Sequence, residues 1–287
     1  MLNNKSIKLS VIIPTCNRND LLRKCLDLLA PANQTIDNYE IIVTDDSKES
    51  IAGDLIQQEC PWARWIDGPR RGPAANRNNG AKAANGDWLV FIDDDCLPDY
   101  HLLLGYQNGI KAHPKNVVFE GCTIVDRPKN KFNEEAPLNL TGGYLLSCNF
   151  AICADYFRQI GGFDENFPYP AMEDSELAYR IRAQGVEMVF LKDAIVMHPW
   201  RIKQNSFNMT LKRFSSALYF IKKHPQERNK LGFAYYLRSF YHSVADTFKN
   251  SVPYSFRGIT EKVIYDFMQL YFAFYMLFYK SRKRDLK

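Results

Sequence analysis

No cysteine follows Cys153, and none of the seven cysteines forms a C-x-x-C pair. An odd number of thiols without that spacing excludes the disulfide framework of a small secreted domain. The first residues, through Ile13, lack an apolar run long enough for a secretory signal, so a cytoplasmic chain with reduced thiols is expected. Without a secretory route, the N-x-T sequons at Asn33, Asn139 and Asn208 carry no weight. Internal repeats and low-complexity tracts are also missing. Hydrophobic residues make up 46% and charged residues 24% of the chain. These are globular proportions, which exclude wholesale disorder, a collagen-like chain and a simple coiled coil. A length of 287 residues suits one large catalytic domain, or a domain with an appendage.

Acidic residues are scarce in one region. Residues 199–287 hold 17 Lys and Arg but only 5 Asp and Glu, a net of +12, whereas residues 1–198 carry a net of −7. The same last stretch holds 21 of the 39 aromatics. The chain therefore reads as a body, residues 1–200, and a basic, aromatic-rich helical region, residues 201–287. Anionic phospholipid attracts such a region. Nucleic acid also would, but no recognised nucleic-acid motif accompanies the charge, and none is expected as a partner. Val263–Tyr279 is broken only by Asp266 and Gln269 and is followed by Lys280, Arg282, Lys283 and Arg284. Its length as a helix is about 25 Å, marginal for a membrane span, and its Tyr and Phe suit a membrane interface. Upstream, Leu211, Phe214, Leu218 and Ile221 form an apolar helical stripe flanked by Lys212, Arg213, Lys222 and Lys223. Two readings stand. One is peripheral contact of residues 205–287 with the cytoplasmic face of the plasma membrane. The other is a helical bundle packed on the body or on a second subunit of an oligomer.

Within the body, short apolar runs alternate with helical periodicity. Strands are expected at Leu9–Ile13, Glu40–Thr44, Arg64–Ile66, Trp88–Ile92, Val117–Thr123, Tyr144–Cys153 and Met188–Leu191. Helices are expected at Asp20–Leu29, Ile51–Gln58, Pro73–Ala84, Tyr100–Ala112 and from Glu173 to before Gly185. Asp126–Gly143, polar and rich in Pro and Gly, reads as a mobile loop able to close over a ligand. This alternation indicates an α/β fold with a parallel sheet, whose ligands bind beyond the carboxyl ends of the strands. Asp45–Asp46 and Asp93–Asp95 each follow a strand, so both acidic clusters could face one crevice.

Several segments, taken in order, resemble the family 2 glycosyltransferases. They are Pro14–Arg18, Ile41–Ser47, Arg77–Gly80, Gly86–Asp87 leading into Phe91–Asp95, Pro98–Asp99, Gly161–Glu165, Glu173–Leu177, Arg180 and Gly185. Each is weak alone; their order over residues 8–200 carries the resemblance. It implies a GT-A, Rossmann-like nucleotide-binding fold with a mostly parallel sheet flanked by helices; the C-terminal helical extension lies outside the resemblance and is read from its own pattern. It also implies inverting, metal-dependent sugar transfer from a nucleotide-diphosphate donor, UDP-linked by expectation, to a hydroxyl of a saccharide or lipid-linked saccharide. Cys16 departs from the family, which often has Tyr at the base; a thiol cannot stack as a ring does.

Physical roles follow for each residue. A departing diphosphate needs counter-charge, which Mn2+ or Mg2+ on carboxylates supplies. The resemblance makes Asp95 a direct metal ligand and directs Asp93 to metal or ribose; Asp94 completes the donor-side triplet, and three adjacent carboxylates repel without a cation. The resemblance also makes Asp46 the acceptor for the nucleotide base, with Pro14, Thr15 and Asn17 lining the same pocket; an Asx turn made by Asp45-Asp46-Ser47 is the plain alternative. Arg77, on a helix expected to face the crevice, can clamp phosphate or ribose oxygens, or make a surface salt bridge. Glu173 and Asp174 form the acidic pair, with Asp174 the general base or a helix N-cap, or both. His198 is a metal or diphosphate ligand, or an ordinary buried histidine. Asn149 contacts the donor through its amide, or packs within a strand. Two competing functions are a sugar-nucleotide pyrophosphorylase, whose G-x-G-T-R-L start is missing, and a non-catalytic membrane-bound scaffold, which would not need intact Asp93–Asp95 and Asp174.

Overall fold

The computed structural model describes residues 7–49, 51–203 and 206–279, with the side chain of residue 206 excepted. The first unit comprises residues 1–126, 136–165 and 173–199. Its elements are β1 (Leu9–Thr15), α1 (Asn19–Leu28), β2 (Tyr39–Asp45), α2 (Ala52–Glu59), β3 (Ala63–Asp67), α3 (Pro73–Ala83) and β4 (Trp88–Ile92). After these come β5 (Leu97–Pro98), α4 (Leu102–Ala112) and β6 (Val118–Ile124). The second unit's β7 (Glu134–Glu135) intervenes before β8 (Asn149–Cys153), α5 (Ala154–Gln159), α6 (Glu173–Ala183) and β9 (Met188–Met197).

Eight strands form one sheet in the order β3-β2-β1-β4-β8-β6-β9-β5. The run β3-β2-β1-β4 is parallel, as is β6-β9, while β8 lies antiparallel between β4 and β6. All seven β1 residues are buried, because the strand has neighbours on both edges and cover on both faces. Its side chains alternate. Leu9, Val11 and Ile13 enter a core shared with Leu22, Leu26 and Ile56 on one face. Ile12 enters the other, with Ala81, Phe163 and Leu177. This three-layer arrangement is the mostly parallel α/β sheet expected from the alternation.

Differences from the expected elements have local causes. β1 continues through Pro14 to Thr15; its pairing with β4 stops at Ile12, so the missing proline N–H costs no bond on that side. Only Asn149–Cys153 of the expected strand Tyr144–Cys153 is extended and paired. β9 runs six residues past Leu191, through the exposed Lys192 and Asp193, because a register shift lets the ladder with β6 resume at Ile195.

The second unit comprises residues 127–135, 166–172 and 200–287. It holds β7, which pairs with β10 (Arg201–Ile202), and helices α7 (Ser206–Lys223), α8 (Phe233–Asn250) and α9 (Ile259–Phe278). Two strips from before residue 200 thus fold with the C-terminal region. Residues 127–135, within the loop expected at Asp126–Gly143, are tied to the second unit. Phe132 is buried against Tyr254 and its N–H donates to the Arg257 carbonyl, while Glu135 pairs with Lys203 and Arg213. A single aromatic in a polar stretch made the difference. Phe214, Ile221, Tyr236, Met268, Phe272 and Met276 form this unit's own core. Among the described residues, no helix is long and apolar enough to cross a membrane. The basic run Lys280, Arg282, Lys283 and Arg284 lies outside the described residues.

Candidate active site

Because β1, β2 and β4 are parallel neighbours, Thr15–Asn17, Asp45–Asp46 and Asp93–Asp95 emerge at the same sheet edge. The three aspartates after β4 face different surroundings. Asp93 keeps 22% of its side chain exposed, whereas Asp94 and Asp95 are buried.

Asp95 faces His198. The His198 Nε2 lies 3.5 Å from Asp95 Oδ1, and both residues are buried. The other ring nitrogen, Nδ1, lies 2.8 Å from the Pro199 carbonyl oxygen. A carbonyl only accepts, so Nδ1 donates to Pro199 and Nε2 is the ring nitrogen left facing Asp95. A hard carboxylate oxygen beside a borderline imidazole nitrogen fits Mn2+, and the carboxylate alone fits Mg2+. Cys96 lies within ligand reach of this pair. Its thiol donates to the Cys148 carbonyl, and burial pushes its pKa well above the usual range, so it stays a packing group.

Asp93 belongs to a second chain of charges. Arg77 Nη2 donates to Asp93 Oδ1 at 2.6 Å, and Arg77 Nη1 lies 3.7 Å from Glu173 Oε1. The guanidinium also sits 5.7 Å over the Phe163 ring. Arg77 is 4% exposed. It is therefore no open phosphate clamp; it ties Asp93 to Glu173. Burial of Arg77 follows from α3 itself, where Asn76, Arg77 and Asn78 are all buried. Three successive residues project about 100° apart, so this helix is enclosed on most of its circumference. Asn76 Nδ2 donates to the Thr15 and Thr44 carbonyls, and Asn78 exchanges two hydrogen bonds with the Phe163 backbone. The tandem polar residues in a short Ala-rich helix were the signal for these two framework asparagines, which the sequence reading passed over.

Glu173 and Asp174 open α6, directly after Met172, whose φ of 73° is left-handed. Such backbone strain in a non-glycine residue persists only where the surroundings hold it. Burial, with Asp174 and Asp93 nearby, pushes the Glu173 carboxyl up to about 7 despite the opposing charge of Arg77. Burial likewise raises Asp174 above the ordinary carboxylate range, against hydrogen bonds from the backbones of Ser175 and Ser147. Asp174 is half-buried and keeps some solvent contact. The helix begins one residue before it, so Asp174 lies in the first turn and bonds its neighbour Ser175 at 2.6 Å. It is not the N-cap, which leaves the acid–base reading without that competitor.

On β2 the two aspartates divide their work. Asp45 is buried and accepts from the N–H groups of Ser47 and Ala52 and from Trp65 Nε1. That is the Asx turn, made by Asp45 and not Asp46. Asp46 instead accepts from the backbone of Arg70 at 2.8 Å and of Gly72, and burial raises its pKa. Gly68 permits this fold-back, since a Cβ there would lie 2.3 Å from Asp46 Oδ1. Asn17, with φ of 55°, and Cys16 are exposed at the adjoining end of β1. Burial and the charges of Asp46, Asp45 and Asp94 hold the Cys16 thiol above its usual pKa.

Four expected donor contacts are built into the frame. Thr15 is 2% exposed and its hydroxyl donates to Asp94 Oδ2 at 2.7 Å. Asp94 is fully buried and is also 3.3 Å from Arg18 Nε. Pro14 is buried within β1. Asn149 donates through Nδ2 to the carbonyls of Cys122 and Ala194 and accepts from Tyr106 at 2.7 Å, which joins β8, β6 and β9. Thr15 and Asn149 lie at strand ends and looked site-facing, but their side-chain hydrogen bonds run inward. Arg18, at the end of the Pro14–Arg18 motif, does reach the acidic cluster. It is 42% exposed and bridges Asp94 and Asp95, 3.4 Å from the latter.

A family model described as glycosyl transferase family 2 matches residues 10–159, just over half of the chain. The validoxylamine A glucosyltransferase of Streptomyces hygroscopicus subsp. jinggangensis is 26% identical over 82% of this chain and 65% of its own length. The poly(ribitol-phosphate) beta-glucosyltransferase of Bacillus spizizenii is 30% identical over 46% of this chain and 22% of its own. The chain thus spans under two thirds of the length of these relatives. Among solved structures, S. aureus TarS 1-349 in complex with UDP-GlcNAc has a TM-score of 0.55 at 20% identity, over 75% of this chain and 67% of that one. The mannosyltransferase PcManGT from Pyrobaculum calidifontis, in complex with GDP-Man and Mn2+, has a TM-score of 0.56 at 18% identity, over 78% and 65%. At such identities the likeness establishes the fold, which is that of the GT-A glycosyltransferases.

Proposed function

Since the chain belongs to glycosyl transferase family 2, we propose that it moves a sugar, with inversion, from a UDP-linked donor to a hydroxyl of a saccharide or lipid-linked saccharide in cell-surface glycan synthesis. The observation that carries the reading is the convergence of Asp95 with His198 and of Asp93, through Arg77, with Glu173 beside Asp174. Asp95 and His198, with Asp93 beside them, would hold a divalent cation, which supplies counter-charge for the leaving diphosphate. Asp46 accepts an N–H of the donor base, next to Asn17, and Asp93 accepts from the ribose. Asp174 takes the proton of the acceptor hydroxyl as that oxygen attacks the anomeric carbon, and its raised pKa strengthens it as a base. Glu173, held by Arg77, fixes the direction of this acid pair. The glucosyltransferase relatives and the UDP-GlcNAc-bound fold neighbour support a UDP-hexose donor.

The basic C-terminal region adds peripheral contact with the cytoplasmic face of the membrane, close to a lipid-linked acceptor. Fractionation of cells expressing the full chain checks that contact. A panel of nucleotide sugars, with and without Mn2+, tests the activity through release of nucleotide diphosphate. One donor is expected to be consumed and its consumption to need the cation. Cys16, the one exposed cysteine, should also be alkylated more slowly with that donor present. Release from no donor, with Cys16 alkylation unaffected by any of them, rejects the proposal.

A further inference from the structure

α9 buries three polar side chains beside its core residues while leaving several aromatics exposed. Its polar residues Lys262, Asp266 and Gln269 are 9%, 6% and 5% exposed. Lys262 bonds Asp266, and both reach Ser243, with Thr247 completing the set on α8. Phe267, Tyr271, Phe274 and Phe278 are instead 54% to 78% exposed. They recur at helical spacing and form one stripe. Beside the stripe, α7 and α9 enclose an apolar groove of about 520 Å3, lined by Phe207, Leu211, Ile264, Phe267, Met268 and Tyr271. A patch of this kind on a folded chain marks an interaction surface.

Charge identifies what covers it. The stripe ends at Phe278, and the eight residues from Lys280 to Lys287 hold five basic residues and one acidic one. Anionic phospholipid complements both parts: its headgroups attract the basic run, and Phe and Tyr partition at the interface. A second copy of this chain would leave the basic run without a complementary charge, which the anionic headgroups supply. The groove also lacks the polar groups that would read a nucleic-acid base.

We infer that the exposed face of α9 seats on an anionic bilayer, with the groove between α7 and α9 taking a phospholipid acyl chain. The inference rests on the membrane contact proposed above and names its place. The test uses the full chain with vesicles of phosphatidylcholine, alone or mixed with phosphatidylglycerol. Flotation is expected only with the mixed vesicles and is expected to weaken with salt. Tryptophan emission gained by Phe267→Trp is expected to be quenched by phosphatidylcholine brominated on its acyl chains. Phe278→Trp, at a 78% exposed position, serves as a second reporter. Phe274→Ser with Phe278→Ser should lower partition about tenfold or more, with donor-dependent nucleotide release unchanged. Flotation without quenching at either reporter overturns the site while leaving membrane contact standing. Flotation with neither vesicle, or equally with both, overturns the inference. So does a dimer in light scattering that the double serine variant abolishes, which would assign the face to a second copy.

Discussion

Two adjacent carboxylates at the start of α6 have different expected behaviour. Asp174→Asn keeps the acceptor oxygen that Ser175 uses but cannot take a proton near neutrality. The variant should melt close to the parent and lose transfer by about 100-fold or more, read as nucleotide diphosphate release; normal turnover would remove Asp174 from the base role. Glu173 is held protonated in the folded state up to about pH 7, against an ordinary value of 4.5. Its folded pKa is raised, so its stabilising contribution is complete below about 4.5 and is lost as pH rises through about 7. Melting curves from about pH 5 to about pH 8 should show the parent losing stability relative to Glu173→Gln; parallel curves would contradict the shift. Arg18 competes for the carboxylates that would hold a cation. Arg18→Ala should therefore bind Mn2+ up to about fivefold more tightly, the range open to a partly exposed ion pair, as measured by titration of the donor-free protein. Weaker binding would instead make Arg18 part of the cation's support.

At the scale of elements, burial pattern and periodicity predicted most of the first unit. β1, β2, β4, α1 and α3 lie within one or two residues of their sequence boundaries, because the strands have apolar runs, α1 has a helical stripe, and α3 is marked by Pro73 at its start and Gly86 beyond its end. β5, β7 and β10 are two residues each and exist only through their partners, so no local signal announces them. Site residues were legible by element rather than by direction. A strand's end can be read from sequence, but whether Thr15 and Asn149 point into the crevice or back into the sheet depends on neighbours distant in the chain. Asn149 is thus a tie between three strands. Asn149→Ala leaves two buried carbonyls and the Tyr106 hydroxyl without it, and should cost about 2 kcal/mol or more of stability. Urea unfolding measures that loss, and an unchanged KM for the donor would accompany it; a large KM change with intact stability would restore the donor-contact reading.

For the whole molecule, the change of charge near residue 199 falls where the longest segment of the second unit starts, but that unit also takes in two earlier strips. Composition reports where a chemistry starts, not which earlier segments will fold with it. The strips 127–135 and 166–172 depend on the helices: Phe132 packs on Tyr254, Phe167 on Tyr219, and Ser216 donates to the Tyr169 carbonyl. A chain ended at residue 200 should be prone to aggregate and should melt well below the full chain, as differential scanning fluorimetry can show; an unchanged melting point would make the helices a dispensable appendage. The backbone passes between its units five times, and Glu173 and His198 stand beside two of those passages. Recombination among relatives at any of the last four passages would therefore pair foreign helices with native strips; a crossover at the first, between residues 126 and 127, would not. A viable chimera has to inherit all three segments from the same parent.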